Sequence, residues 1–130
     1  MSLLKRKLNR TIAKEMGYKV RKMPFVDGMG GSPCVYRDWW SRNGRGEEPP
    51  DFAGDSGAVI DAAMEIGKDF YADFCYNVLD WERENYDPFP TTVIVAQIFL
   101  TTLTRHNQMI KDLEAYAKRN HAKRTKAGRN

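Results

Sequence analysis

The sequence predicts a mainly α-helical protein with one small irregular or β insert. The prediction is an antiparallel helical hairpin over residues 56–84 and 91–120, an N-terminal amphipathic helix over 3–16, and an irregular arm or small β-hairpin at 18–54. Three observations carry it. Apolar residues recur every three or four positions in three separate stretches. Glycine and proline concentrate in one stretch between the first two of these. The chain's 130 residues suffice for one domain with a modest core, so residues 1–130 are read as a single unit.

The first helix is read from Leu4, Leu8, Ile12 and Met16, which form one apolar stripe. Ser2 is its expected N-cap and Gly17 its expected stop. Arg6, Arg10 and Lys14 repeat at the same spacing, two positions away, which sets them on the opposite side. Residues 18–54 hold Pro24, Gly28, Gly30, Gly31, Pro33, Gly44, Gly46, Pro49, Pro50 and Gly54, a density no helix survives. Two extended pieces fit there, residues 19–26 and 34–40, with Gly28–Gly31 between them. An arm laid on a partner fits nearly as well, because long connections are usually functional or disordered.

The second helix is predicted to be continuous, capped by Asp55 or Ser56. Val59, Ala63, Ile66, Phe70, Phe74, Val78 and Trp81 form its apolar face. Gly67 sits near the centre and costs about 1 kcal/mol in a helix interior. Close approach of another backbone over Ala63 and Gly67 is the expected compensation. A turn over residues 85–90 leads into the third helix. Its packing seam is Ala96, Phe99, Leu103, His106, Ile110, Leu113 and Ala117, with the first half expected to be the most buried segment. Residues 121–130 are read as a basic tail without apolar periodicity.

Charge is sorted along the chain. Residues 1–22 carry eight Lys or Arg and one Glu. Residues 47–90 carry twelve acidic and two basic side chains, and residues 91–130 carry eight basic and two acidic ones. Such a chain either pairs its ends with its middle or offers surfaces of opposite sign. The apolar runs are far shorter than the ~20 residues of a membrane-spanning helix. The N-terminus lacks the apolar core of a secretory signal. An intracellular protein is expected, with a mitochondrial address the second reading of the basic N-terminus. Cys34 and Cys75 form no zinc pattern and no redox pair in sequence; whether they pair with each other stays open.

Four constellations bear on chemistry. Asp61, Glu65, Asp69 and Asp73 recur every four residues and are expected to form one acidic face on the second helix, either solvated or paired with Lys and Arg of this chain or of a partner protein. The segment Tyr36-Arg37-Asp38-Trp39-Trp40-Ser41-Arg42-Asn43-Gly44-Arg45-Gly46 interleaves aromatic rings with arginines. That mixture suits single-stranded nucleic acid, whose bases stack on rings while arginines hold phosphates. The competing reading has Trp39 and Trp40 capping the core. The tail, with Lys123 and Arg124, adds a cluster that phosphate backbones reward by counterion release. Residues 28–32 hold three glycines, but Pro33 follows instead of a helix, so a turn is expected rather than a phosphate cradle.

His106 is expected at the seam's edge and Cys75 as a buried thiol, with no triad in the sequence. No cofactor and no metal site are expected. The function expected is a non-catalytic component of a larger complex, such as a ribonucleoprotein or viral particle. Its nucleic-acid contacts would be Arg6, Arg10, Lys14, Arg37, Trp39, Trp40, Arg42, Arg45, Lys123 and Arg124. Its protein contacts would be Asp61, Glu65, Asp69 and Asp73. The alternative is an adaptor or inhibitor without nucleic acid, such as an accessory respiratory subunit or a phage protein acting on a host enzyme. An enzyme is the third and weakest reading.

Overall fold

A computed structural model describes residues 2–25, 35–88 and 90–127. The chain is mainly helical, with one small antiparallel sheet. In order the elements are α1 (Leu3–Glu15), β1 (Lys19–Phe25), β2 (Val35–Arg42), β3 (Arg45–Gly46), α2 (Ser56–Ile66), α3 (Lys68–Asn85) and α4 (Thr92–Ala127).

Helix α1 starts where the Ser2 hydroxyl accepts a hydrogen bond from the Lys5 amide at 3.2 Å. Gly17, at φ +92°, turns the chain out of it. Leu8, Ile12 and Ala13 are buried, whereas Leu4, expected in the same stripe, is exposed. The insert is a sheet rather than an irregular arm. β1 pairs with β2 from Lys19↔Ser41 to Phe25↔Val35. The glycine run 28–31 lies outside the described residues. β2 turns into β3 through Asn43 and Gly44, both at positive φ (55° and 76°). That two-residue Asn-Gly turn matches the right-handed strand twist. It extends the sheet beyond the two strands expected.

The long second helix is two helices. Gly67, at φ 143° and ψ 168°, ends α2 and begins α3. No atom lies within 4 Å of where its Cβ would stand, so no backbone approaches there. The glycine is needed for its dihedrals, and the expected close approach is replaced by a break.

Helix α4 runs antiparallel to α3, with Asn77 beside Thr102 and Phe70 beside His106, and it also packs on α1 and α2. At its centre Phe99 meets Phe70 and Phe74 edge-on, at 5.6 and 5.7 Å between ring centres. Phe52, from the connection before α2, stacks on Phe99 from another side at 6.4 Å. Leu8, Ile12, Val59, Ala62, Ala63, Ala96 and Leu103 complete this core. Thr102, buried among them, donates to the Ile98 carbonyl and accepts from the Asn77 amide, which leaves its hydroxyl satisfied.

The seam stops being a seam after His106, whose ring lies against Phe70 at 5.3 Å. Asn107 donates to the Glu15 carbonyl oxygen and carboxylate, marking the level where α1 ends. Beyond it Ile110, Leu113 and Ala117 are exposed rather than packed. The basic segment continues as helix to Ala127 instead of forming a separate tail. Among the described residues no helix is long and apolar enough to cross a membrane.

Candidate nucleic-acid interface

Antiparallel pairing sorts the residues of β1 and β2 onto two faces, because side chains alternate along a strand and opposed residues share a side. Lys19, Arg21 and Met23 stand opposite Ser41, Trp39 and Arg37 on one face. Val20 and Lys22 stand opposite Trp40 and Asp38 on the other. The first face is open: Lys19, Arg21, Met23, Arg37 and Trp39 are all exposed. Its positions carry three cations and an indole, and no carboxylate. One edge of the Trp39 ring rests on Gly46, where a Cβ would come within 3.0 Å. More than half of Trp39 remains accessible.

The second face turns towards α1. Arg10 forms an ion pair with Asp38 at 3.3 Å and lies over the Trp40 ring, 5.9 Å from its centre. This clamp fixes the sheet to the helix and leaves Trp40 half-buried. Beside it a cleft of about 580 Å³ has Arg6, Lys7 and Arg10 on one side and Trp40, Pro49 and Asp51 on the other. A second cleft, of about 700 Å³, shares Asp38, Trp40 and Glu48 with the first and reaches Arg37 and Trp39. Arg6, Arg10, Arg37, Trp39 and Trp40 therefore lie on one continuous surface, drawn from two elements far apart in sequence.

Other residues of the expected set are elsewhere. Arg42 faces inward, with only 16% of its side chain accessible. Its guanidinium sits 4.9 Å over the Tyr18 ring and is held by Glu65 in an ion pair. Its Nε is 3.6 Å from a Glu47 oxygen and makes no hydrogen bond. Arg42 is thus a strut between the sheet and α2, occupied by acids of its own chain. Arg45 is exposed on β3, and Lys14 is exposed in the last turn of α1. Lys123 and Arg124 are exposed on α4, about 25 Å of helix beyond Asn107, and belong to a different surface.

Burial pushes the Tyr18 phenol above the usual tyrosine range. Arg42 pulls it down, and Glu47, which accepts the phenol's hydrogen bond at 3.2 Å, adds to the rise. The Arg42 guanidinium loses some of its preference for charge through burial. Tyr18, Glu65 and Glu47 more than offset that loss and raise it further.

The acidic row is broken at Gly67. Asp61 and Glu65 belong to α2, Asp69 and Asp73 to α3, so the four do not share one helix face. All four are exposed. Glu65 is bound to Arg42, which leaves Asp61, Asp69 and Asp73 as the acids facing outward without that role. Cys75 is a free, half-buried thiol, and Cys34 lies outside the described residues. Among the described residues no three His, Cys, Asp or Glu side chains are grouped to hold a metal ion.

Two members of the open sheet face, Lys19 and Arg21, fall outside the set expected from sequence. The alternation Lys19-Val20-Arg21 is the signal that points to them, but only the pairing with β2 shows which partner each residue stands beside. Comparison with known protein families, curated proteins and solved structures finds no match for this chain.

Proposed function

We propose that this protein is a non-catalytic assembly component that holds single-stranded nucleic acid on the open face of its small sheet. One observation carries the reading: the exposed face sets Lys19, Arg21 and Arg37 at the strand positions nearest Trp39, with no carboxylate among the described β1 and β2 positions of that face. Glu47 and Glu48 lie at its edge, in the cleft that Trp39 and Arg37 also line. A base stacked on Trp39 places its flanking phosphates among these cations, the combination single strands need. Arg6, Lys7 and the clefts beside Trp40 extend the track along α1. Contacts of this kind select for strandedness more than for sequence, which suits a packaging or scaffolding role. Asp61, Asp69 and Asp73 are the acids left to meet a basic protein partner within the same assembly.

The test is a salt titration of binding to a single-stranded oligonucleotide. Binding is expected at low salt and should weaken steeply as salt rises. Replacing Lys19, Arg21 and Arg37 by serine should flatten the slope by about 0.7 in log–log terms for each phosphate no longer neutralised. An unchanged slope in the triple variant, or no binding by the wild type at low salt, overturns the reading.

A further inference from the structure

The second half of α4 carries an apolar stripe that no described residue of its own chain covers. Met109, Ile110, Leu113 and Tyr116 are 53%, 39%, 59% and 60% exposed, and every residue from Lys111 to Arg119 is exposed. The stripe continues the seam of Ala96, Phe99, Leu103 and His106, which α1, α2 and α3 cover up to the level of Asn107. Helices in water are held mainly by packing of their apolar face, and this half has none.

We propose that a second copy of this chain covers the stripe, with the two α4 helices antiparallel and crossing at Leu113. Two observations select that occupant. The stripe is symmetric about Leu113: Met109 and Ala117 are equidistant from it, as are Ile110 and Tyr116. An antiparallel pair crossing there sets Leu113 against Leu113, Ile110 against Tyr116 and Met109 against Ala117 of the other copy around a two-fold axis, which closes the contact. Charge selects the direction. Lys118, Arg119, Lys123 and Arg124 follow the stripe, and parallel pairing would bring two such clusters together. Antiparallel pairing directs each cluster towards the body of the other copy, where Asp69 and Asp73 stand exposed in the first turns of α3. The basic end of α4 then serves the contact between copies, separately from the nucleic-acid face.

The test measures the mass of the full chain in solution, free of nucleic acid, over a concentration series. A dimer is expected for the wild type, and Leu113→Asp should be monomeric and still unfold cooperatively, with any loss of far-ultraviolet helical signal confined to the second half of α4. A second measurement fixes the geometry. In a Cys34→Ser, Cys75→Ala background, Leu113→Cys should crosslink two chains under mild oxidation, and Ala122→Cys should not. A wild type that is monomeric at every concentration overturns the proposal. So does a dimer that survives Leu113→Asp, or equal crosslinking at positions 113 and 122.

Discussion

At the scale of single residues, the arginines of one short segment have separate fates. Arg37 and Arg42 are five positions apart on β2, and alternation sends them to opposite faces. Arg37 reaches the open surface with Trp39, whereas Arg42 turns in to Tyr18 and Glu65. Composition treats the two alike, and only the register separates them. Arg42→Ala should cost about 1 kcal/mol in a urea titration, because its acidic partners are half exposed and solvent screens them. The same variant should bind oligonucleotide as tightly as the wild type. Tyr18 governs an alkaline effect. Its phenol is raised in the fold, so the folded state favours the protonated form. That contribution is complete below the unfolded tyrosine range near pH 10 and is lost as pH rises through the raised folded value. Stability should therefore fall above about pH 10, and Tyr18→Phe should remove that part of the fall. Chemical unfolding of both proteins across the alkaline range checks it.

At the scale of elements, periodicity locates the helices and does not register what interrupts one of them. The apolar spacing from Val59 to Trp81 runs through Gly67 without a visible fault, because the residues on either side bury against the same helix, α4. The break lies in backbone dihedrals, which an apolar pattern does not record. Gly67 therefore supports an experiment whose sign separates the two pictures. In a continuous helix, Gly67→Ala would stabilise by about 1 kcal/mol. At φ 143° it should instead destabilise by about 1–3 kcal/mol, read from the urea midpoint at constant slope. Asn43-Gly44 teaches the opposite lesson. The dipeptide is itself a hairpin signal, but the glycines and prolines on both sides of it hide the strands it joins. Phe52 escapes a periodic reading for a related reason: it stands alone between glycines and prolines, with no spaced neighbours to mark it as core.

At the scale of the whole molecule, the helical architecture and its small insert are legible in the sequence, because long amphipathic stretches and their caps are local properties. The candidate interface is legible only in part. Its aromatic and basic residues are visible as a cluster, but the joining of α1 to β2 through Arg10, Asp38 and Trp40 depends on tertiary packing. So does the inward turn of Arg42. The charge layout gains geometry from this packing. Part of the basic N-terminal half is displayed on the sheet beside Trp39, part is spent on the Arg10–Asp38 clamp, and the basic C-terminal end projects on α4. The proposed grip of the open sheet face on a single strand depends on stacking against Trp39. It is tested most directly by comparing the affinity of wild type and Trp39→Ala for one single-stranded oligonucleotide at fixed low salt. A loss of about 1–3 kcal/mol is expected, with folding and salt slope unchanged. Equal affinity of the two proteins would contradict it.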